Sequence, residues 1–202
     1  MPILEELLTA SAAIHHHLCP RQVLGMRMGM LAGKLLALDL PQTDKRLLAI
    51  VETDGCAVSG IAVATGCQVG RRTMRVEDYG KVAATFVDTH AERAIRIAPA
   101  TDVRRLVINY APDAHDCWEA YLRGYQRMPD DKLLKWQEIV LNTPLPSILS
   151  QPGRRVTCQI CDEEIMNERE VIHEGSVLCR TCAGLGYYRA ETQCSKFQPS
   201  TR

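Results

Sequence analysis

Four cysteines in two identical pairs, Cys158-x-x-Cys161 and Cys179-x-x-Cys182 with residues 162–178 between them, have the spacing that most directly specifies chemistry. A two-residue gap lets one tight turn present two sulfurs to the same ion, and Zn²⁺ takes a tetrahedron of thiolates at about 2.3 Å. Two such pairs predict one structural zinc in a treble-clef-like finger. The first pair is expected on a turn after Val156, and the second at the start of a helix running from Ala183 to Tyr188. Because four thiolates leave no coordination position for substrate, this zinc is architectural and function has to lie elsewhere. Cys194 and His173 are spare soft groups that two complete pairs do not need.

A second concentration of ligand-type residues stands near the start, in His15-His16-His17-Leu18-Cys19-Pro20. Proline disfavours the α conformation in the residue before it, so Cys19 is expected to be extended at a break between two helices. An extended approach puts His15, His17 and Cys19 on one side, and a helical one keeps His15 and Cys19 together at i, i+4. Cys56 follows Glu52-Thr53-Asp54-Gly55 and opens a run of small residues. A strand, a turn and a helix N-terminus in that order stabilise a thiolate, although Thr53 or Asp54 would serve equally well as the helix cap. Imidazoles and thiolates together suit Zn²⁺, Fe²⁺ or Co²⁺. His15, His17, Cys19 and Cys56 are therefore the candidate set for a second metal ion in the core, of unspecified identity. Cys67 lies eleven residues beyond Cys56, about 16 Å along a helix, and is read as support for the turn there. Cys117 and His115 read as ordinary helix residues.

The elements that must position these groups follow from periodicity and punctuation. Helices are expected over residues 3–16, 20–38, 56–65, 113–128 and 130–141, with Pro20 in the first turn of the second. Strands are expected over 47–52, 74–76, 82–88 and 94–97, with a turn at 88–93. Gly25, Gly29 and Gly33 recur every four residues on the second helix, each costing about 1 kcal/mol against alanine, which predicts close packing against another backbone. That packing would serve a homodimer or an intrachain contact equally. The prolines and glycine between 142 and 153 mark a linker. The expected architecture is α+β: a mixed helix and antiparallel-sheet core domain over 1–145, followed by a small zinc-finger domain over 153–202.

Composition narrows the function classes. Lys+Arg and Asp+Glu are both 24, and the tail beyond residue 153 balances seven against seven. No excess positive charge is available for the phosphate contacts of nucleic-acid binding. The sequence has no apolar run long enough for a membrane span and no signal-peptide order at its start. Nine cysteines is an odd number for a disulfide scaffold, so thiols kept reduced in the cytoplasm are the expectation.

Residues 10–100 resemble the FmdE family, the E subunits of formylmethanofuran dehydrogenase. The resemblance rests on His15-His16-His17-Leu18-Cys19-Pro20 leading to Gly25-Met-Arg27-Met-Gly29, on Val51-Glu52-Thr53-Asp54-Gly55-Cys56-Ala-Val, on Thr65-Gly66-Cys67-Gln-Val-Gly70, and on Asp78-Tyr79-Gly80-Lys81, in the family's order. It implies an α+β core, a C-terminal treble-clef zinc finger, and a pocket in which histidines and cysteines of the first two motifs bind metal. It also implies molybdenum or tungsten formylmethanofuran dehydrogenase subunits as partners, in methanogenesis-related metabolism. Arg21 stands where the family commonly has glycine, and Ser59 and Ala62 where it has an Asp and a Gln.

The leading expectation is a metal-binding accessory or redox subunit. One alternative is an independent metalloenzyme with Glu52 or Asp54 as general base; another is a zinc-finger adaptor or regulatory protein without catalysis.

Overall fold

The structure, a computed structural model, describes residues 2–149, 151 and 153–189. It divides into two compact units, Met1–Leu145 and Pro146–Arg202. The first contains α1 (Leu4–His15), α2 (Pro20–Leu36), β1 (Leu47–Val51), α3 (Cys56–Thr65), β2 (Met74–Val76), β3 (Ala84–Asp88) and β4 (Arg93–Pro99). It continues with α4 (Val103–Leu106), a 3₁₀ turn over Val107–Tyr110, α5 (Cys117–Arg127), α6 (Asp130–Leu133) and β5 (Leu134–Ile139). A short helix α7 (Leu145–Ile148) falls at the join, where Pro144 and Pro146 interrupt regular structure. None of the described helices is long and apolar enough to cross a membrane.

The sheet has the order β2-β1-β3-β4-β5. Pairing is antiparallel from β1 through β5, as in Leu48 opposite Val87 and Phe86 opposite Ile95. The expected antiparallel sheet is modified at one edge, where β2 runs parallel to β1 with Ala49 opposite Met74. The cause is α3, which carries the chain back across the sheet between the two strands, and only such a crossover can bring consecutive strands into parallel register.

Helix α2 lies against β3 and β4, and α3 and α5 pack on α2. Since α2 is covered on several sides, its Val23, Met26 and Met28 are fully buried and its apolar residues are not confined to one stripe. Its glycines have the expected use. A Cβ on Gly25 would sit 2.1 Å from the carbonyl oxygen of Ala57, and one on Gly29 would sit 2.7 Å from the Ala64 Cβ. Gly60 of α3 reciprocates, with a hypothetical Cβ 2.1 Å from the Gln22 carbonyl oxygen. The stripe is thus consumed within the chain by the α2–α3 contact.

The helix expected over 130–141 is overturned after its first turn. Only Asp130–Leu133 is helical, and Leu134–Ile139 pairs with β4, with Trp136 opposite Ile97 and Leu134 opposite Pro99. Without β5 the outer edge of β4 would present a row of unpaired backbone groups, which satisfies more hydrogen bonds as a strand than an isolated helix would.

The second unit consists of two antiparallel hairpins, β6 (Arg155–Thr157) with β7 (Glu164–Met166) and β8 (Val171–His173) with β9 (Ser176–Leu178). The expected helix over residues 183–188 is absent. A turn over 180–184 stands there, and it stops because Gly184 adopts φ +77° while the Leu185 N–H returns to the Arg180 carbonyl at 2.7 Å. Cys194 lies outside the described residues.

Candidate functional site

The two hairpins bring the four tail sulfurs together. Cys158, Cys161, Cys179 and Cys182 have all their sulfurs within 4.8 Å of one another, and Cys161 and Cys179 are 3.9 Å apart. A tetrahedron with bonds of about 2.3 Å requires sulfurs about 3.8 Å apart, so the spacing fits Zn²⁺. Backbone amides support the set: Cys179 N–H donates to the Cys158 sulfur and Cys182 N–H to the Cys179 sulfur, each at 3.3 Å.

The protonation of the four thiols shows what they lack. The backbone amide of Cys161 is the main influence holding the Cys158 thiol down at about 6, whereas the Cys179 sulfur is the main influence pushing Cys182 up to about 12. Four thiolates at this distance repel one another, and a dication is what allows all of them to ionise together. The unit also has little else to hold it, since Cys158, Ile165 and Leu178 are its buried apolar residues. Metal binding in so small a core supplies folding free energy directly. His173 sits exposed on β8 and is not part of the set.

In the core, α2 and α3 each begin at a cysteine. Cys19 is the extended residue before Pro20, φ −132° and ψ 157°, as proline demands, and Cys56 is the first residue of α3. The Cys19 N–H donates to Gln22 Oε1 at 2.7 Å, which fixes the start of α2. Because Gly25 and Gly60 let α2 and α3 touch backbone to backbone, the two N-terminal cysteines meet. Partial burial raises the Cys19 thiol, and the Cys56 thiol beside it raises it further. Both face a cavity of about 500 Å³.

The two histidines are placed differently. The His15 Nε2 forms a 2.7 Å hydrogen bond with Ser59 Oγ on α3, and His17 Nδ1 meets the His15 carbonyl oxygen at 2.9 Å. The rings lie edge to face at 5.6 Å. The structure thus brings Cys19 to Cys56 and His15 to the Cys56 helix, but it does not close these groups into a compact ligand set. Among the described residues, the tail cysteines are the one group of three or more His, Cys, Asp or Glu with all ligand atoms within 4.8 Å.

Neighbouring candidates resolve into structural roles. Both carboxylate oxygens of Glu52 are taken by Arg96, at 2.6 and 2.7 Å, in a largely buried bidentate pair, so Glu52 is not free to act as a base. Gly55 is the N-cap of α3, with Thr53 Oγ1 accepting only from the Gly55 N–H at 3.4 Å; neither Thr53 nor Asp54 caps the helix through its side chain. Cys67 is buried, and its thiol donates to the Leu47 carbonyl at 3.5 Å. Cys117 is exposed at the start of α5, and the His115 N–H donates to Glu119.

Periodicity left the cavity's far wall unassigned. Trp118, Tyr121 and Tyr125 of α5 line it, together with Arg21 and Arg104. The aromatic spacing i, i+3, i+7 was the available signal, and it reads equally as an ordinary helix face.

Comparison with known proteins agrees with this geometry. The family described as "FmdE, Molybdenum formylmethanofuran dehydrogenase operon" matches residues 14–140. A "Probable S-adenosyl-L-methionine-binding protein" of Archaeoglobus fulgidus is 30% identical over 205 residues, covering 92% of this chain. The chain spans 54% of that relative's length. The crystal structure of an FmdE-like protein of tungsten formylmethanofuran dehydrogenase type from Syntrophus aciditrophicus superposes with a TM-score of 0.59 at 21% identity, covering 92% of this chain and 95% of that one. The sequence match over most of the first unit, carried by the segments that seat Cys19, Cys56 and Cys67, places the chain in the FmdE family.

Proposed function

We propose that the chain is a metal-binding accessory subunit acting with a molybdenum or tungsten formylmethanofuran dehydrogenase, in a reducing, cytoplasmic setting. Its tail would hold a structural Zn²⁺ through Cys158, Cys161, Cys179 and Cys182. Its core would hold a second ion through the Cys19 and Cys56 thiolates, with His15 or His17 turning its ring from its present hydrogen bond to complete the set. The meeting of two helix-initiating cysteines at one cavity carries this reading, because helix N-termini favour thiolates and soft divalent ions favour thiolates. Membership of the FmdE family supports the choice of partner. Independent catalysis is less well supported, since the Glu52 base it invoked is committed to Arg96.

Metal analysis of the anaerobically purified full chain tests the proposal. Cys179→Ser should remove one equivalent of zinc and keep the second ion, whereas Cys56→Ser should remove the second ion and keep the zinc. If Cys19→Ser and Cys56→Ser both leave metal content unchanged, the core metal is wrong and the adaptor reading takes its place.

The description of the archaeal relative raises S-adenosyl-L-methionine as a ligand. The core cavity is large enough, but no carboxylate lines it to balance a sulfonium cation. That binding is assigned instead to the part of the relative this chain does not span. Calorimetric titration of the chain with S-adenosyl-L-methionine should give no saturable heat, and micromolar binding would reverse the assignment.

A further inference from the structure

The core cavity carries groups that a metal bound to Cys19 and Cys56 would not use. Arg21 and Arg104 both line it, and no aspartate or glutamate does. Elsewhere in this unit Arg27, Arg46, Arg93, Arg96, Arg105 and Arg123 each have a carboxylate partner. Among the described residues Arg21 and Arg104 have no carboxylate within 4 Å. Arg104 approaches the hydroxyl of the buried Tyr125 and no acid. Two cations without counter-ions beside a partly enclosed, low-dielectric wall concentrate the field on whatever anion enters, and guanidinium forks match planar oxyanions.

The opposite wall is aromatic. Tyr121 and Tyr125 stack with ring centroids 5.9 Å apart and planes 8° from parallel, and Trp118 leaves 52% of its surface exposed one turn earlier on α5. Leu24, Val82 and Val103 provide apolar backing. A volume of about 500 Å³ lies in the range of small-molecule sites, roughly 300–1,000 Å³, which combine an apolar lining with a few convergent polar groups.

We propose that this cavity binds a small molecule consisting of a flat aromatic ring that carries an anionic group, the ring lying on Trp118 and Tyr121 and the carboxylate, sulfonate or phosphate held by Arg21 and Arg104. Ring and charge are both required, because the aromatic wall supplies stacking without orientation and the arginines supply orientation without apolar burial. The proposal concerns the same cavity as the metal reading but different side chains, and it holds whether or not Cys19 and Cys56 carry an ion.

Two fluorescent probes separate its parts: 1-anilinonaphthalene-8-sulfonate and its uncharged parent N-phenyl-1-naphthylamine, each titrated into the full chain. The sulfonate should bind one per chain. Arg21→Gln and Arg104→Gln should each weaken it roughly tenfold or more, as loss of a charged hydrogen bond does, while changing the neutral probe by less than about threefold. Trp118→Ala should weaken both probes. Arg105→Gln, on the same short helix but outside the cavity, should affect neither. Equal losses for charged and neutral probes, indifference of the sulfonate to both arginines, or failure to saturate at one per chain would each overturn the proposal. Metal content measured on the same samples keeps the two readings apart: a Cys56→Ser variant that loses no metal yet binds the sulfonate refutes only the metal, and one that loses metal while sulfonate binding ignores both arginines refutes only the anion site.

Discussion

Asp88 accepts from Arg46 through both oxygens, at 3.0 and 2.7 Å, and from the backbone amides of His90 and Ala91, so the charged pair first and the amides second hold its carboxyl down at about 2. An unfolded aspartate titrates near 3.9. The folded carboxyl is the stronger acid, so its stabilisation is complete above about pH 4 and is lost as pH falls through about 2, a contribution on the order of 2 kcal/mol at neutral pH. Asp88→Asn should show that deficit in urea unfolding at pH 7 and converge with the parent chain near pH 2. Tryptophan fluorescence reads it, since Trp118 and Trp136 both lie in the first unit. A deficit independent of pH would mean that Asp88 contributes through packing alone.

At this same scale, what was legible in the sequence depended on how near the partners stand. The tail cysteines announce their site because each pair spans three positions. Arg27 does not: its guanidinium donates to the carbonyls of Tyr125, Gln126 and Met128 and to Asp130, about a hundred residues on, and so ties α2 to the end of α5. Arg96 likewise reaches back 44 positions to take Glu52, a commitment that no local spacing could reveal.

Among the elements, α2 and α3 decide whether Cys19 meets Cys56. Both helices were readable from the proline at one start and from Gly66 at the other's end, where φ +76° ends α3 and a Cβ would sit 2.4 Å from the Gln42 carbonyl oxygen. Their mutual packing was readable only as a need for some close neighbour. Gly60→Ala should be the sharper test of that contact, because its new Cβ would face the Gln22 carbonyl oxygen at 2.1 Å and the Met26 nitrogen at 2.9 Å, backbone atoms that cannot rotate away. Forced separation of a packed pair costs roughly 1–3 kcal/mol or more, despite alanine's better helix propensity. A lower urea midpoint and weaker core metal binding together are expected; a stabilised variant with unchanged metal would show that the helices can part without disturbing the cysteines. The strand β5 marks the opposite case, in which an acidic start and paired leucines look helical until the edge of β4 claims the segment. Only the three-dimensional neighbour makes that choice.

For the molecule as a whole, the two units rest on different sources of stability. The first has a continuous apolar core running from α1 through the sheet to α6, including Phe86, Ile95, Ile97 and Leu133 at less than 2% exposure. The second has three buried apolar side chains and four thiols that cannot ionise together without a cation. Proline punctuation made their separation visible in the sequence; the hairpins of the second unit were not, because strands of three residues are too short to show a period. The difference leads to a test on the intact chain. Removing metal with a strong chelator under reducing conditions should unfold the second unit, seen as loss of amide-exchange protection at Cys158, Val177 and Cys179, whose N–H groups are bonded across the finger. Protection at Ala49 and Glu52 in the first unit, and tryptophan fluorescence, should be retained. Restoring Zn²⁺ should recover the lost protection in the parent chain but not in Cys179→Ser. Unchanged protection of the second unit after complete metal removal would show that its hairpins stand without the ion, and the cysteine tetrad would then be a metal site that the fold does not depend on.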